Sequence, residues 1–299
     1  MGFRVDETLR SGSCLAIVTG ANKGIGFRCV ERLCEELDDS ATVVLTSRSE
    51  ERGKAAVAEL VAKGHKQVIF HLLDVTNAQS IDALAEWVKK RGGCDIVINN
   101  AGIAFKLSAP EPFADQARKT VDANYYGTKH VVEKLLPHLK SGGRMIQVSS
   151  QAGQIGGRPG AAKFLSDELS IEVLDAGLEN FVAAAVAGKV TEGGFWNSAY
   201  GVSKMGVTQY TRLAAKKSSA AGTDVLISSC CPGLCRTDMT GGNKKTAISW
   251  LFWLATWIPG IGQSAYTGAD TPVYLALLRK DEFATHHGMF CSQRRVQGF

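Results

Sequence analysis

The chain has 299 residues, of which 45% are hydrophobic and 21% are charged, and this composition excludes an intrinsically disordered protein. Its formal net charge is +5 with scattered basic residues, which gives little support for nucleic-acid binding and is compatible with an anionic cofactor. The length suits one large domain and no proline- or serine-rich linker divides it, so we expect a single domain over residues 1–299.

Short apolar stretches and longer amphipathic stretches alternate along the chain from residue 15 onward. The predicted strands are 15–19, 42–46, 67–72, 95–98, 144–149 and 225–230. The predicted helices run from a glycine-rich turn to about residue 37 and over 50–63, 78–90, 113–139 with a break near Pro137, 200–220 and 271–278. This alternation favours an α/β fold with a doubly wound, Rossmann-type parallel sheet and helices on both faces, in which ligands bind at the carboxyl ends of the strands.

A glycine-rich turn joins the first predicted strand to the first helix, with Gly20, Gly24 and Gly26 in a G-x-x-x-G-x-G pattern. Small residues let such a turn tighten around a pyrophosphate, whose charge the helix N-terminus favours. The spacing differs from the commoner G-x-G-x-x-G, and an ordinary strand–helix turn is the alternative. Because a strand and a helix flank the pattern, we favour dinucleotide binding. The candidate residues are Gly20, Asn22, Lys23, Gly24, Ile25 and Gly26.

The end of the second predicted strand indicates which dinucleotide binds. An NAD site usually carries an acidic residue there to bind the ribose 2′-hydroxyl, whereas this chain has Arg48. A guanidinium suits a 2′-phosphate, and Lys23 in the glycine turn adds a second positive charge. The alternative is that both are ordinary surface bases. The sequence therefore favours NADP(H) over NAD(H).

Further cofactor candidates follow the third and fourth predicted strands. Asp74 and Val75 suit contact with the adenine ring, although Asp74 could instead cap the next helix. Asn100, Ala101 and Gly102 close the fourth strand. Asparagine side chains at this point can hold the strand ends or the ribose, and Gly102 lets a cofactor approach closely.

Tyr200 and Lys204 are four residues apart, which places them on one face of a helix, one turn from each other. This spacing alone is common by chance. Here it follows the glycine turn, the asparagine stretch and the pair Ser149-Ser150, which closes the fifth predicted strand. The order of these features predicts hydride transfer from a nicotinamide cofactor to a carbonyl group.

Together these motifs resemble the short-chain dehydrogenase/reductase superfamily over roughly residues 15–293. Several stretches look closer still to the monomeric NADPH-dependent carbonyl reductases: 20–26, 99–106, 230–233, 236–239 and 271–277. The resemblance implies reduction of ketones, aldehydes or quinones to alcohols. Alternative functions are an NADP-dependent dehydrogenase of steroid- or prostaglandin-type alcohols and a non-catalytic NADPH-binding sensor.

The resemblance also implies the catalytic roles. Tyr200 would donate a proton to the carbonyl oxygen, while Lys204 would favour the phenolate and bind the nicotinamide ribose. Ser150, rather than Ser149, would hydrogen-bond the substrate oxygen. Asn124 matches the residue that holds a water in the proton relay, and its alternative role is a hydrogen bond to helix backbone.

Other residues match family positions around the nicotinamide and the substrate. Pro232 and Gly233 would flank the nicotinamide carboxamide, with Thr237 as a hydrogen-bond partner. Leu234 stands where the monomeric carbonyl reductases that the chain resembles have tryptophan, which should alter the substrates that fit. Cys231 matches a cysteine near a glutathione-binding surface, but a small buried apolar residue is the favoured interpretation. The candidate substrate contacts are Phe105, Lys106, Gln116, Ser150 and Leu234.

Two segments depart from the common family pattern. The insert 151–197 separates Ser150 from Tyr200, and in the monomeric relatives it covers the helix face used elsewhere for oligomerisation, so we expect a monomer. The segment 240–266 carries an apolar, tryptophan-rich stretch, 247–258, which is too short for a membrane span of about 20 residues. We favour a substrate lid that selects hydrophobic carbonyl compounds; a membrane-surface helix and a partner contact are the alternatives.

The eight cysteines form no Cys-x-x-Cys pair, and no histidine cluster accompanies them, so we expect reduced thiols and no metal site. The first 13 residues are polar and charged, unlike a secretory signal peptide. These features favour a cytoplasmic protein that acts on a small molecule.

Overall fold

Strands and helices alternate in the computed structural model, which describes residues 5–10, 13–106, 108–154, 164–236 and 262–298. The strands are β1 (Leu15–Val18), β2 (Thr42–Ser47), β3 (Val68–Leu72), β4 (Cys94–Asn99), β5 (Leu139–Val148), β6 (Leu226–Cys231), β7 (Cys235–Arg236), β8 (Gln263–Ser264), β9 (Phe290–Ser292) and β10 (Arg295–Gln297). The helices are α1 (Gly24–Glu36), α2 (Glu50–Ala62), α3 (Ala78–Lys89), α4 (Phe113–Thr120), α5 (Gly127–Leu135), α6 (Ile171–Val186), α7 (Ala199–Ala220), α8 (Ala265–Gly268), α9 (Asp270–Ala276) and α10 (Phe283–His286). A π-helical turn, Val121–Tyr126, joins α4 to α5.

The main sheet has the order β10-β9-β6-β5-β4-β1-β2-β3. Its neighbouring strands are parallel from β3 to β9, and β10 returns antiparallel to β9. The chain therefore winds outward in both directions from β1 and β4, and the predicted doubly wound sheet is confirmed. The carboxyl ends of the parallel strands meet at one edge, which we call the carboxyl edge; the opposite one is the amino edge.

The sheet is covered on both faces, as the alternation of side chains along β1 shows. Leu15 and Ile17 belong to one apolar cluster, together with side chains from α3, α5, α6 and α7. Ala16 and Val18 belong to the other, with side chains from α1, α2 and α9. Successive residues of a strand point to opposite faces, so a continuous apolar run is required where both faces are buried.

The structure corrects the sequence predictions in three places. The helix predicted over 113–139 is divided by the π-helical turn and ends before β5, which begins at Leu139 rather than residue 144 because this stretch pairs with β4 across an irregularity between Cys94 and Ile96. Helix α6, inside the insert 151–197, was not predicted. The β9–β10 hairpin was also missed, because its turn residues Gln293 and Arg294 both have positive φ without the usual asparagine or glycine.

Candidate active site

The glycine turn lies between β1 and α1 at the carboxyl edge. Gly20 and Gly24 both have φ of +62°, a conformation that side chains disfavour. A Cβ on Gly26 would lie 2.8 Å from the carbonyl oxygen of Gly20 and would also meet the Asn100 amide. The turn thus passes close to its neighbours only because these positions are glycine. Lys23 occupies the N-cap of α1, where its side chain has no acceptor atom for the first-turn amides.

Hydrogen bonds from β2 and β4 hold this turn in place. The Asn100 side-chain amide donates to the carbonyl oxygens of Thr19 and Gly20 at 3.0 and 3.1 Å. The Thr19 hydroxyl accepts from the backbone amides of Asn100 and Ala101, both at 3.0 Å. The Thr46 hydroxyl accepts from the Gly20 amide at 3.3 Å. Of the two roles expected for the asparagines, Asn100 therefore holds the strand ends together. Thr19 and Thr46 were not among the sequence candidates.

Two exposed bases stand beside the glycine turn in the order of the sheet. Arg48 directly follows β2, and Lys23 directly precedes α1, which starts next to β1. Because β1 and β2 are hydrogen-bonded neighbours, both bases lie at the carboxyl edge. Asn22 and Ile25 are half-buried in the same turn.

Asp74 and Val75 follow β3 at the same edge. One carboxylate oxygen of Asp74 accepts from the backbone amide and the hydroxyl of Thr76, at 2.9 and 2.7 Å. The N-cap of α3 is Asn77, so the alternative interpretation of Asp74 as the helix cap is wrong. Val75 packs so closely against α5 that a Cβ on Gly127 would come within 2.9 Å of its side chain.

Tyr200 and Lys204 lie in the first two turns of α7, whose N-cap Ser198 accepts from the backbone amide of Gly201 at 3.0 Å. The Lys204 ammonium is 5.7 Å from the centroid of the Tyr200 ring and donates to the Val148 carbonyl oxygen at 2.7 Å. Lys204 is only 4% exposed, whereas Tyr200 keeps part of its surface open. The lysine is thus anchored to the carboxyl end of β5 beneath a partly exposed tyrosine.

The environment changes the pKa of both groups. Burial raises the pKa of Tyr200 to about 12, against the opposing effect of its hydrogen bond with Ser150. Burial lowers the pKa of Lys204 to about 8. At neutral pH the phenol therefore carries its proton, and the ammonium is charged but close to its titration range.

The structure separates the roles of the two serines after β5. The Ser149 hydroxyl is buried, donates to the Lys204 carbonyl oxygen at 2.9 Å and shares a 2.7 Å hydrogen bond with Thr208. Ser150 is half-buried, and its hydroxyl bonds to Tyr200 while also accepting from the Ala152 amide at 3.1 Å. Ser149 thus fixes α7 to the sheet, and Ser150 is the serine that faces Tyr200.

Asn124 is fully buried within the π-helical turn, a feature that often marks functional sites. Its side chain accepts from the Ile103 amide at 2.7 Å and donates to the Ile103 carbonyl oxygen at 2.9 Å and to the Ser203 hydroxyl at 3.0 Å. The alternative role, a hydrogen bond to helix backbone, is therefore wrong, because the backbone groups that Asn124 contacts belong to Ile103 in the loop after β4. A Cβ on Gly102 would lie 3.0 Å from the Asn124 side-chain oxygen and 3.6 Å from the Lys204 ammonium. The absence of a side chain at Gly102 therefore leaves room for Asn124 as well as for a ligand.

The loop after β6 contains Pro232, Gly233 and Leu234, all half-buried. Gly233 has φ of +80°, and its amide donates to the Cys231 thiol sulfur at 3.3 Å. Gln263 donates from its side chain to the Pro232 carbonyl oxygen. Thr237 and the apolar stretch 247–258 lie outside the described residues, as does most of the expected lid segment.

Three of the five candidate substrate residues, Phe105, Lys106 and Gln116, follow β4. An open cavity of about 450 Å³ is lined by Ala104, Phe105, Lys106, Ser108, Ala109, Pro110 and Glu111. The Gln116 side-chain amide donates to the Glu111 carbonyl oxygen at 2.9 Å. Gln116 therefore holds the loop that lines the cavity, while Phe105 and Lys106 contribute to its wall.

All eight cysteines are buried thiols. Within the described ranges, no three histidine, cysteine or acidic side chains are grouped to hold a metal ion. Over those same ranges, no helix combines the length and the apolar character needed to cross a bilayer.

Comparison with known proteins gives concordant similarities. The family model described as short chain dehydrogenase matches residues 15–163 and 182–247. The chain is 41% identical to carbonyl reductase [NADPH] 1 of Bos taurus over 295 residues, covering 96% of this chain and 99% of that protein. It is also 41% identical to carbonyl reductase [NADPH] 1 of Homo sapiens over 296 residues, with coverage of 97% and 99%. The structure of salutaridine reductase from Papaver somniferum matches with a TM-score of 0.77 and 28% identity, covering 93% of this chain and 99% of that one.

Proposed function

The chain belongs to the short-chain dehydrogenase family, and we propose that it is an NADPH-dependent carbonyl reductase that converts ketones, aldehydes and quinones to alcohols. One observation carries this function. A protonated Tyr200 lies one helical turn from the Lys204 ammonium, bonds to Ser150, and opens onto the same sheet edge as the glycine turn.

In this reaction Tyr200 acts as the proton donor. Its raised pKa keeps the phenol protonated at neutral pH, so the proton is available when negative charge develops on the carbonyl oxygen. The single hydroxyl proton of Ser150, which bonds to Tyr200 in this structure, would turn to that oxygen when substrate is bound and stabilise its charge. The positive charge of Lys204 favours the phenolate that the transfer leaves behind.

The carboxyl edge fits NADPH, which supplies the hydride when it is bound. The glycine turn packs closely against Asn100 and Ala101 in a way that only glycine permits, and it leads into the positive end of α1. Arg48 and Lys23 would hold the 2′-phosphate. The other residues proposed to hold the cofactor are Asn22, Ile25, Asp74, Val75, Asn100, Ala101, Gly102, Tyr200, Lys204, Pro232, Gly233 and Thr237.

Asn124 contributes by position. Its side-chain amide bridges the loop after β4 and α7, through Ile103 and Ser203, so it fixes the loop that lines the cleft relative to the helix that carries Tyr200. The water-holding role implied by the family remains part of the proposal.

We also propose a single-domain, cytoplasmic monomer. Helix α6 of the insert packs on α4 and α7, and the surface it covers on those helices is then closed to a second copy. Hydrophobic carbonyl compounds are the proposed substrates, with Phe105, Lys106, Gln116 and Leu234 around them and 247–258 as a lid. A weak membrane-surface contact through that stretch is the alternative role.

NADPH oxidation tests the function, measured against a panel of quinones, diketones and aldehydes with NADH in parallel. We expect turnover with NADPH and little with NADH. Tight NADPH binding without turnover of any carbonyl would instead favour a sensor. Faster alcohol oxidation than carbonyl reduction at neutral pH would favour the dehydrogenase. Vesicle co-sedimentation with and without 247–258 tests the membrane contact.

A further inference from the structure

The π-helical turn that carries Asn124 is held from two sides. On one side, Asn124 bonds to Ile103 and Ser203. On the other, the next residue, Tyr125, is fully buried, and its hydroxyl donates to a carboxylate oxygen of Asp175 at 2.6 Å. Asp175 belongs to α6, inside the insert, so a segment outside the catalytic set is joined directly to the turn beside it.

The contact between Tyr125 and Asp175 is built to be rigid. Lys129 forms an ion pair with the other oxygen of Asp175, which fixes the carboxylate. The Tyr125 ring lies edge-on to Tyr210, with centroids 6.2 Å apart, and a Cβ on Gly206 would come within 2.8 Å of it. Burial and the hydrogen bond to Asp175 raise the pKa of Tyr125 far above its ordinary value, so the hydroxyl stays protonated and keeps donating.

A π-helical turn is rare and needs support from its surroundings, because its wider hydrogen-bond pattern is less favourable than that of an α-helix. Here the support on the α6 side comes from a neutral donor held by a fixed, paired carboxylate. If the hydrogen bond between Tyr125 and Asp175 is lost, the turn can relax and move Asn124 away from Ile103 in the loop after β4. A displacement of about 1 Å in such a constellation lowers a rate by as much as 10²-fold.

We propose that Tyr125 and Asp175 are positioning residues for the reaction: the insert helix α6, through this hydrogen bond, fixes the π-helical turn and with it Asn124. The inference rests on the proposed carbonyl reductase activity and assigns a role in that activity to the insert. The neighbouring bond from the Tyr126 hydroxyl to Glu179, at 2.8 Å, joins the same two segments at the surface. Being exposed, it does not fix the turn.

The pair Tyr125→Phe and Tyr126→Phe tests this directly, since each variant removes one hydroxyl that bonds to one α6 carboxylate. For Tyr125→Phe we expect kcat to fall about tenfold, with the Kd for NADPH unchanged within about twofold. Loosening the turn admits water near Lys204. The pKa of Lys204, measured from the dependence of kcat/KM on pH, should therefore rise towards the ordinary lysine value. Tyr126→Phe should change neither quantity. The carbonyl reductase activity of the wild-type enzyme is measured first. If the wild-type enzyme is inactive, the proposed function fails, and this outcome is distinct from a failure of the positioning role.

A second pair tests the carboxylate and guards against simple unfolding. Asp175→Asn keeps an oxygen acceptor for Tyr125 and should retain most of the rate, whereas Asp175→Ala should match Tyr125→Phe. The Tm of every variant is recorded. The proposal is overturned if Tyr125→Phe keeps the wild-type kcat and pH profile, if Tyr126→Phe has the same effect, or if Asp175→Asn and Asp175→Ala lose activity equally in proportion to their loss of Tm.

Discussion

The two edges of the sheet both hold charged and polar side chains, but these side chains have different partners. At the amino edge Arg144 is 2% exposed and donates to the Asp6 carboxylate at 2.5 Å and the Leu278 carbonyl oxygen at 2.7 Å. At the carboxyl edge Arg48 is exposed and Tyr200 opens onto the cleft. Arg144 at the first edge is used within the fold, whereas Arg48 and Tyr200 at the second remain accessible to ligands. The comparison separates residues needed for stability from residues needed for activity.

Removing the Tyr200 hydroxyl should give the largest loss of activity. For Tyr200→Phe we expect kcat to fall about 10³-fold, because a positioned general acid contributes about 10²–10⁴-fold. Tm should change little, since within the described residues the hydroxyl bonds to a half-buried serine. NADPH binding should also change little, because the other proposed cofactor residues are kept. Stopped-flow or steady-state NADPH oxidation measures the rate, and fluorescence titration measures binding. Tyr274→Phe on α9 is the control, and comparable loss there would contradict the assignment.

At the amino edge, Asp6→Ala should have the opposite effect to Tyr200→Phe: a loss of stability without a loss of activity. It leaves the Arg144 guanidinium buried without its carboxylate, so the free energy of unfolding should fall by about 3–5 kcal/mol. The enzyme that remains folded in the cold should keep its wild-type kcat. Urea unfolding followed by circular dichroism checks the first expectation.

A matched control for this change is Glu50→Ala, which breaks the exposed pair with Lys54 and should leave the free energy of unfolding almost unchanged. If Asp6→Ala behaved like this surface variant, the buried pair would not hold the amino edge. If Asp6→Ala lowered the kcat of the folded enzyme, the amino edge would contribute to activity as well as to stability, contrary to the comparison.

The preference for NADPH over NADH also tests the difference between the two edges of the sheet, with a smaller expected change than that of Tyr200→Phe. Arg48→Ala should raise the KM for NADPH by about 10–100-fold and leave that for NADH unchanged, because a charge-assisted hydrogen bond contributes about 1.5–3 kcal/mol. Arg91→Ala removes the same charge from the loop after α3, where the chain returns to the amino edge, and should affect neither cofactor. Equal responses to NADPH and NADH in Arg48→Ala would contradict the 2′-phosphate assignment.

The sequence predicts those parts of the molecule that depend on local pattern. Alternating apolar and amphipathic stretches indicate β1 to β6 and most of the helices between them, because the inner strands are buried on both faces and each helix has one buried face. The glycine turn and the Tyr200–Lys204 spacing are visible for the same reason, since the constraint acts within a few residues.

Features set by distant contacts are not visible in this way. Nothing local in residues 121–126 indicates a π-helical turn, whose supports come from Ile103 and from Asp175 on α6. The β9–β10 turn also depends on a distant contact. Arg294 has a positive φ there, and its guanidinium donates to the carboxylate of Asp270 on α9. The distinction between Ser149 and Ser150 also depends on Thr208 and Tyr200 of α7.

The last expected effect, which is small up to pH 8, is the pH dependence of reduction, and it tests whether Lys204 acts by its charge. Burial lowers its pKa to about 8, so the ammonium is charged below that pH and neutral above it, while Tyr200, with a pKa of about 12, keeps its proton throughout. For the free enzyme, kcat/KM should therefore be flat near pH 6–7, fall by about half at pH 8 and then decrease about tenfold per unit. Lys204→Arg, if it folds, retains its charge and should lose this decline, because a guanidinium does not titrate in this range. A wild-type profile that stays flat to pH 10 would mean that the charge of Lys204 is dispensable, and the carboxyl edge would then owe its activity to Tyr200 and Ser150.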